Sequence, residues 1–226
     1  MDIYGNALLD FHQFGKADIL WLHNSYDEPE EMPIEIFFRG EDDMSEIELK
    51  AVGLCKGKVL DVGAGVGSHA LLLDKKRIDV TAIDISPLAV QIMQERGVKN
   101  PQLQDFFQVT EKYDTLLFMM NGIGVTGTLQ DFESFLQSAK RLLKPNGQLL
   151  FDSSDISYLY DDIPMPTNQY FGEIAYCYEY RERKGNWFNW LYIDTTTLQR
   201  LSKQHGWICK IVYVDEQDQY LARLTL

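Results

Sequence analysis

Between Val59 and Ser68 the chain reads Val-Leu-Asp-Val-Gly-Ala-Gly-Val-Gly-Ser. One carboxylate, Asp61, stands two residues before the first of three alternate glycines, Gly63, Gly65 and Gly67, with Ala64 between the first two. Alternate glycines let a backbone turn tightly and let a ligand touch main-chain atoms. A helix that starts just after them offers free N–H groups and a positive dipole end, which suits an anionic group. Read from Gly65 to Ala70 the spacing is G-x-G-x-x-A, which keeps a dinucleotide in play. Asp61 argues for something else, because a carboxylate aimed at the loop repels a pyrophosphate and attracts an ammonium or sulfonium group. Further polar residues fall where apolar runs end: Asp84 followed by Ile85, Asp105 followed by Phe106, Asn121 before Gly122, and the pair Asp152 and Asp155. His69, one residue past Ser68, is either structural or a ligand contact. The four histidines (His12, His23, His69 and His205) lack metal-ligand spacing, so no metal is expected. Cys55, Cys177 and Cys209 lack C-x-x-C spacing and read as reduced thiols of a cytoplasmic protein.

These residues need strands that end together. Lys58–Val62, Ile78–Ile83, Tyr113–Met120 and Gln148–Phe151 are apolar runs that stop at glycine or polar residues. Helical patterns lie among them: Ser45 to Gly57, Ser68–Leu73, a helix opened by Ser86-Pro87 and closed by Gly97, and Leu129–Leu143. Lys144–Gly147 reads as a turn. Strands apolar throughout, alternating with amphipathic helices, imply a parallel sheet covered on both faces, hence a doubly wound α/β domain. The C-terminal third changes period. Glu173–Arg183 and Trp187–Ile193 read as a hairpin around Lys184-Gly185-Asn186; Thr195–His205 as a helix; Trp207–Val214 and Gln219–Leu224 as a second hairpin. Residues 1–44 read as irregular. The expected organisation is one domain over 1–226, with an acidic cap or lid at 1–44 and an inserted hairpin region at 153–193. The N-terminus lacks the basic and apolar regions of a signal peptide, and no apolar run is long enough to span a membrane.

The order D-x-G-x-G-x-G after an apolar strand resembles motif I of the class I S-adenosylmethionine (SAM)-dependent methyltransferases. Val80-Thr-Ala-Ile-Asp84-Ile-Ser is similar to their second motif, Gln104-Asp105-Phe106 to the adenine motif, Met120-Asn121-Gly122 to the active-site end of strand 4, and Leu142–Leu150 to the segment entering strand 5. Specific motifs cover about 45–152; residues 195–226 match by topology. The resemblance implies a Rossmann-like seven-stranded sheet of order 3-2-1-4-5-7-6 with strand 7 antiparallel. It also implies SAM as cofactor. Asp61, Gly63, Ala64, Gly65, Gly67 and His69 would lie at the loop, Asp84 and Ile85 at the ribose, Asp105 and Phe106 at the adenine, and Asn121 near the transferred methyl. An NAD(P)-dependent oxidoreductase and a non-catalytic SAM-binding regulator remain as alternatives.

Methyl transfer from a sulfonium leaves a neutral thioether, so positioning in a dry pocket supplies most of the acceleration. No triad is required. Asn121, Asp152 and Asp155 are the candidates for a catalytic role, with turn-capping the alternative for the two aspartates. The acceptor is expected to be a small molecule, bound by insertions around the strand ends. Phe38 and Arg39 are candidates in the N-terminal lid. Tyr176 and Tyr178 share one face of the inserted hairpin and could pack on the sheet, line the acceptor pocket or form a homodimer contact. The chain carries 21 Lys+Arg against 34 Asp+Glu, net −13. Residues 27–48 alone hold ten acids and one base, Arg39, so the excess is concentrated in the cap. The rest is near neutral, without a concentrated basic face, and Asn121-Gly122-Ile123-Gly124 lacks the Pro-Pro-aromatic sequence of base-flipping amino-methyltransferases. Both points weigh against a nucleic-acid substrate.

Overall fold

The structure, a computed structural model, describes residues 1–226. The N-terminal segment is not irregular. It opens with helix α1 (Ile3–Phe14), capped by Asp2, whose carboxylate accepts from the Gly5 amide at 2.7 Å, and closed by left-handed Gly15. Ile3, Ala7 and Leu8 are buried on its inner face. That short stripe, amid polar residues, is a helix signal the composition obscured. Strands β1 (Leu20–Asn24) and β2 (Glu30–Met32) follow, then a 3₁₀ turn over Ile34–Phe38 and helix α2 (Glu46–Leu54). Ser45 and Glu48 form a reciprocal capping box at the start of α2.

The catalytic-type sheet begins at β3 (Lys58–Val62) and alternates with α3 (Ser68–Lys75), β4 (Asp79–Asp84), α4 (Pro87–Glu95), β5 (Pro101–Leu103), β6 (Tyr113–Phe118), α5 (Phe132–Leu142) and β7 (Leu143–Ser154). After β8 (Glu173–Tyr180), β9 (Arg183–Lys184) and β10 (Phe188–Leu191) come α6 (Thr195–Gln204), β11 (Ile208–Val214) and β12 (Gln219–Thr225). The seven-stranded sheet runs β5-β4-β3-β6-β7-β12-β11. Numbered within that sheet, this is the order 3-2-1-4-5-7-6; β12 is antiparallel to its neighbours. Successive residues of one strand serve opposite cores: Leu60, Leu116 and Phe151 join one cluster, Val59, Leu117 and Leu150 the other. A sheet buried on both faces is what the continuous apolar runs require. Lys144–Gly147 is a bulge within β7, where the register jumps from Leu143↔Tyr113 to Gln148↔Thr115. No helix is long and apolar enough to cross a membrane.

A second, five-stranded antiparallel sheet has the order β10-β8-β1-β2, with β9 on β8. The N-terminal cap and the inserted hairpin therefore pair with each other, Leu22 opposite Tyr178 and Asn24 opposite Tyr176. The hairpin turn is at Arg181–Glu182, both at positive φ (49° and 61°), rather than at Lys184–Asn186. Two consecutive left-handed residues give the sharply twisted turn that hairpins favour. Lys184–Asn186 lies beyond it: the Gly185 amide donates to the Tyr178 carbonyl at 2.8 Å, and β10 resumes with Phe188 opposite Tyr176.

Candidate functional site

The carboxyl ends of β3, β4, β6 and β7 meet at one edge of the large sheet. Gly63, Gly65 and Gly67 all have positive φ (67°, 55° and 83°), so the loop needs all three. Their surroundings differ. A methyl group on Gly63 would enter open space, whereas one on Gly67 would meet Val98 at 2.6 Å. Gly67 is there for close packing of the helix, and Gly63 leaves a surface a ligand can approach. The Gly65 amide donates to Asp84 Oδ2 at 2.8 Å, and the Ser86 amide to Oδ1 at 2.8 Å, which ties the loop to the end of β4.

Asp61 is 1% exposed, and its Oδ2 has no hydrogen-bond partner. An unpaired buried carboxylate oxygen costs stability unless a ligand supplies the donor. Burial raises its pKa to about 6, against the pull of nearby His69. Burial likewise raises Asp84 to about 6, opposed by the amides of Ser86 and Gly65. His69 does not face a free ligand with both nitrogens: its Nε2 lies 2.9 Å from Glu48 Oε1. The same Oε1 accepts from Arg39 at 2.7 Å, and Glu48 Oε2 accepts from the Ser45 amide and hydroxyl. Burial opposes charge on both partners. The hydrogen bonds outweigh it, holding Glu48 at about 2 and His69 above its usual range. Arg39 is thus committed to Glu48 and locks the cap onto α2 and α3.

Asn121, left-handed at φ 54°, sits at the end of β6. Its amide donates to Asp152 Oδ2 at 2.9 Å, and its side-chain oxygen accepts from Ser154 at 2.9 Å. Asp152 is 1% exposed and also accepts from Gln219 at 2.8 Å. Burial raises it to about 6, against the Asn121 and Gly122 amides. It holds the turn after β6 through the Asn121 and Gly122 amides. Asp155 receives the Ser157 amide at 2.9 Å, capping a surface turn. Both aspartates hold turns; Asp152 is buried, whereas Asp155 is part-exposed with only Oδ1 engaged. Asp105 caps its own turn through the Phe107 amide at 2.9 Å. Phe106 is redirected: its ring lies in the core against Phe118 and Phe135, leaving only its backbone toward the sheet edge. Ile85 is exposed. Phe38 packs on Phe11 and beneath Arg96 in the cap, so it is a structural residue there.

The five-stranded sheet stands over this edge. Its inner face carries Tyr176, Tyr178, Phe188 and Trp190. Trp190 lies against Gly124 so closely that a methyl group there would meet the indole at 2.0 Å. Tyr176 is buried within this one chain and its hydroxyl pairs with Tyr192 at 3.1 Å, which excludes the dimer-contact reading of that residue. Tyr178 stacks on Tyr4 of α1 at 5.4 Å, and the Tyr4 hydroxyl overhangs Gly65. Reading the segment as irregular hid Tyr4; an aromatic in the first turn of a helix capped by Asp2 was the available signal.

Residues 37–209 match the family model described as a methyltransferase domain. A crystal structure of a SAM-dependent methyltransferase from Bacteroides fragilis, in complex with S-adenosyl-L-homocysteine, superposes with a TM-score of 0.92 at 38% identity, covering 100% of this chain and 94% of that one. The ubiquinone biosynthesis O-methyltransferase of Histophilus somni is 30% identical over 120 residues, 47% of this chain and 49% of that protein. The demethylmenaquinone methyltransferase of Tropheryma whipplei is 31% identical over 108 residues, 45% of this chain and 44% of that protein. The match to these curated relatives spans about half their length or less.

Proposed function

The chain belongs to the methyltransferase domain family, and from that premise we propose that it transfers a methyl group from SAM to a small-molecule acceptor. The observation that carries the proposal is Asp61: a buried carboxylate with one unpartnered oxygen, below a glycine loop whose first member opens onto free space. An ammonium group satisfies that oxygen; a pyrophosphate does not. The two residues thus fit the cofactor that the family uses. Bound there, SAM supplies an electrophilic methyl on a sulfonium centre.

The protein's own part is to bind, orient and keep dry. Asp61 would hold the ammonium. Asp84, already fixed by two backbone amides, keeps lone pairs for sugar hydroxyls. Asp105 is the residue assigned to the adenine amino group. Asn121, held in a strained left-handed turn by Asp152 and Ser154, marks the edge of the methyl-transfer position. Tyr178, Phe188 and Trp190 exclude water from above, which favours displacement between a neutral or partly charged nucleophile and a cation. With Asp152 and Asp155 spent on turns, no side chain here is assigned as general base, so an acceptor that arrives already nucleophilic fits best. Three free cysteines suit a reducing, cytoplasmic setting.

Calorimetric titration with S-adenosylhomocysteine and with NADH tests this reading. Binding of the first and not the second is expected; binding of NADH alone would overturn it. Transfer of a labelled methyl group into a fractionated extract then identifies the acceptor.

A further inference from the structure

The covering helix α1 is held at the cofactor loop by contacts that packing alone does not require. Asp2 does more than cap α1. Its Oδ2 accepts from the Ser86 hydroxyl at 2.6 Å and from the Leu88 amide, and Ser86 is the residue whose amide holds Asp84. A carboxylate on the cover is thereby joined through one serine to the carboxylate at the end of β4. Gly5 makes room for this clasp, since a methyl group there would fall within 2.2–2.7 Å of the Asp2 carboxylate. Two residues from Asp2, Tyr4 stacks on Tyr178 at 5.4 Å and meets Phe37 edge-on at 5.2 Å, so its ring is fixed on two sides. Its hydroxyl lies 3.2 Å from the position of a methyl group on Gly65. Burial, and after it neighbouring negative charge that includes Asp84, raises both phenols above their ordinary range. Both rings are only half-buried, so their hydroxyls stay open to a ligand, and the Tyr4 hydroxyl lies over the Gly65 turn.

We infer that the stacked pair Tyr4 and Tyr178 is part of the cofactor pocket, with the Tyr4 hydroxyl contacting the bound cofactor at its sugar end and the Asp2–Ser86 clasp positioning Tyr4 for that contact. This rests on the SAM reading given above. It makes the N-terminal helix a contributor to binding, not a surface ornament of the fold, and it assigns the aromatic stripe of the second sheet its partner. Asp2 acts through Tyr4 and is a positioning residue.

The test is calorimetric titration of the full chain with S-adenosylhomocysteine. Wild-type binding checks the underlying reading; its absence would sink that reading and this inference with it. Given wild-type binding, Tyr4→Phe keeps the ring stack and removes only the hydroxyl. A three- to tenfold loss of affinity is expected, the worth of about one neutral hydrogen bond, with the melting temperature of the ligand-free protein unchanged. Asp2→Asn should lose a smaller factor, and its loss should vanish in the Tyr4→Phe background, because the clasp then has nothing to position. Wild-type affinity in Tyr4→Phe overturns the contact. Equal losses from Asp2→Asn in both backgrounds overturn the positioning role. Gly5→Ala, which displaces the Asp2 carboxylate without removing it, should match Asp2→Asn; wild-type affinity there counts against the clasp.

Discussion

In the seven-stranded sheet Val59 lies opposite Val80, a strand one helix away in sequence. In the five-stranded sheet Leu22 lies opposite Tyr178, with most of the large sheet between them along the chain. The first sheet supplies the charges, Asp61, Asp84 and Asp152, all buried and all raised to about 6. The second supplies rings, among them Tyr178, Phe188 and Trp190. Cofactor chemistry thus sits on elements joined by short right-handed crossovers, and water exclusion sits on elements that must find each other over a long loop closure. On that division, loss of a charge in the large sheet abolishes cofactor binding, whereas lesions in β10 of the cover, away from the Tyr4–Tyr178 pair, abolish transfer while leaving the cofactor bound.

The largest effect is expected at Asp61. Asp61→Asn removes the charge that would pair with the ammonium and should weaken S-adenosylhomocysteine binding by about 2–4 kcal/mol, or roughly thirty- to several-hundredfold. Because the carboxylate is buried with an unpartnered oxygen, the ligand-free variant should be at least as stable as wild type at pH 8. Denaturant melts and titration on the same samples check both halves. Unchanged affinity would remove Asp61 from the site.

Next comes Gly124, on the cover's side of the comparison. Gly124→Ala drives a methyl group into the Trp190 ring and should displace β10. The expected stability cost is about 1–3 kcal/mol, as for overpacking elsewhere. Turnover should fall at least tenfold, with cofactor affinity within threefold of wild type. Parallel loss of both would mean the two sheets do not divide the work.

The pH dependence separates them further. For a carboxylate whose folded pKa is raised from about 4 to about 6, the native state holds the proton more tightly than the unfolded chain. Asp61, Asp84 and Asp152 therefore add stability that is present below about pH 4 and lost as pH rises through about 6. Glu48, lowered to about 2, has the opposite sign: its contribution is present above about 4.5 and lost as pH falls toward 2. The ligand-free protein should lose stability between pH 4 and 7. S-adenosylhomocysteine affinity should run the other way, falling up to tenfold per unit below about pH 6 as Asp61 takes up its proton. In Asp61→Asn that slope should flatten; an equal slope would assign the titration to another group.

The same division accounts for what was legible. Asp61, the three glycines, Asp84 and the alternation of strands and helices follow from local spacing, because each strand end and its helix are written within a few tens of residues; the strand order came from the family resemblance that those motifs carry. Tyr4, the Asp2–Ser86 clasp and the β1–β8 pairing have no local signature. A tyrosine stripe at Tyr176 and Tyr178 shows which residues share a face but not what faces them. Phe106 shows the same limit: the motif sets its position after Asp105, but only the fold shows that its ring packs on Phe118 and Phe135 in the core. Asp152 was expected just past a strand but lies within β7, paired with Leu221 of β12, and only the arrival of Gln219 and the Asn121 amide shows what its carboxylate holds.

The smallest effect is expected at Arg39, the one base of the acidic segment and a candidate lid residue, whose positive charge could meet the cofactor's carboxylate or an acidic acceptor. Its guanidinium is on Glu48 at 2.7 Å, and Glu48 keeps His69 and both Ser45 donors without it. Arg39→Gln therefore leaves the carboxylate paired, and the cost should be about 1 kcal/mol of stability, near the upper end for a partly exposed ion pair. Cofactor affinity should change less than threefold. Glu48→Gln is the informative contrast, because it strips the charge from between two cations, and burial then favours a neutral His69. That variant should lose several times more stability than Arg39→Gln at pH 6, with the excess shrinking by pH 8 as the His69 charge is given up. A tenfold loss of S-adenosylhomocysteine affinity in Arg39→Gln would instead return Arg39 to the ligand and make the acidic cap part of the binding surface.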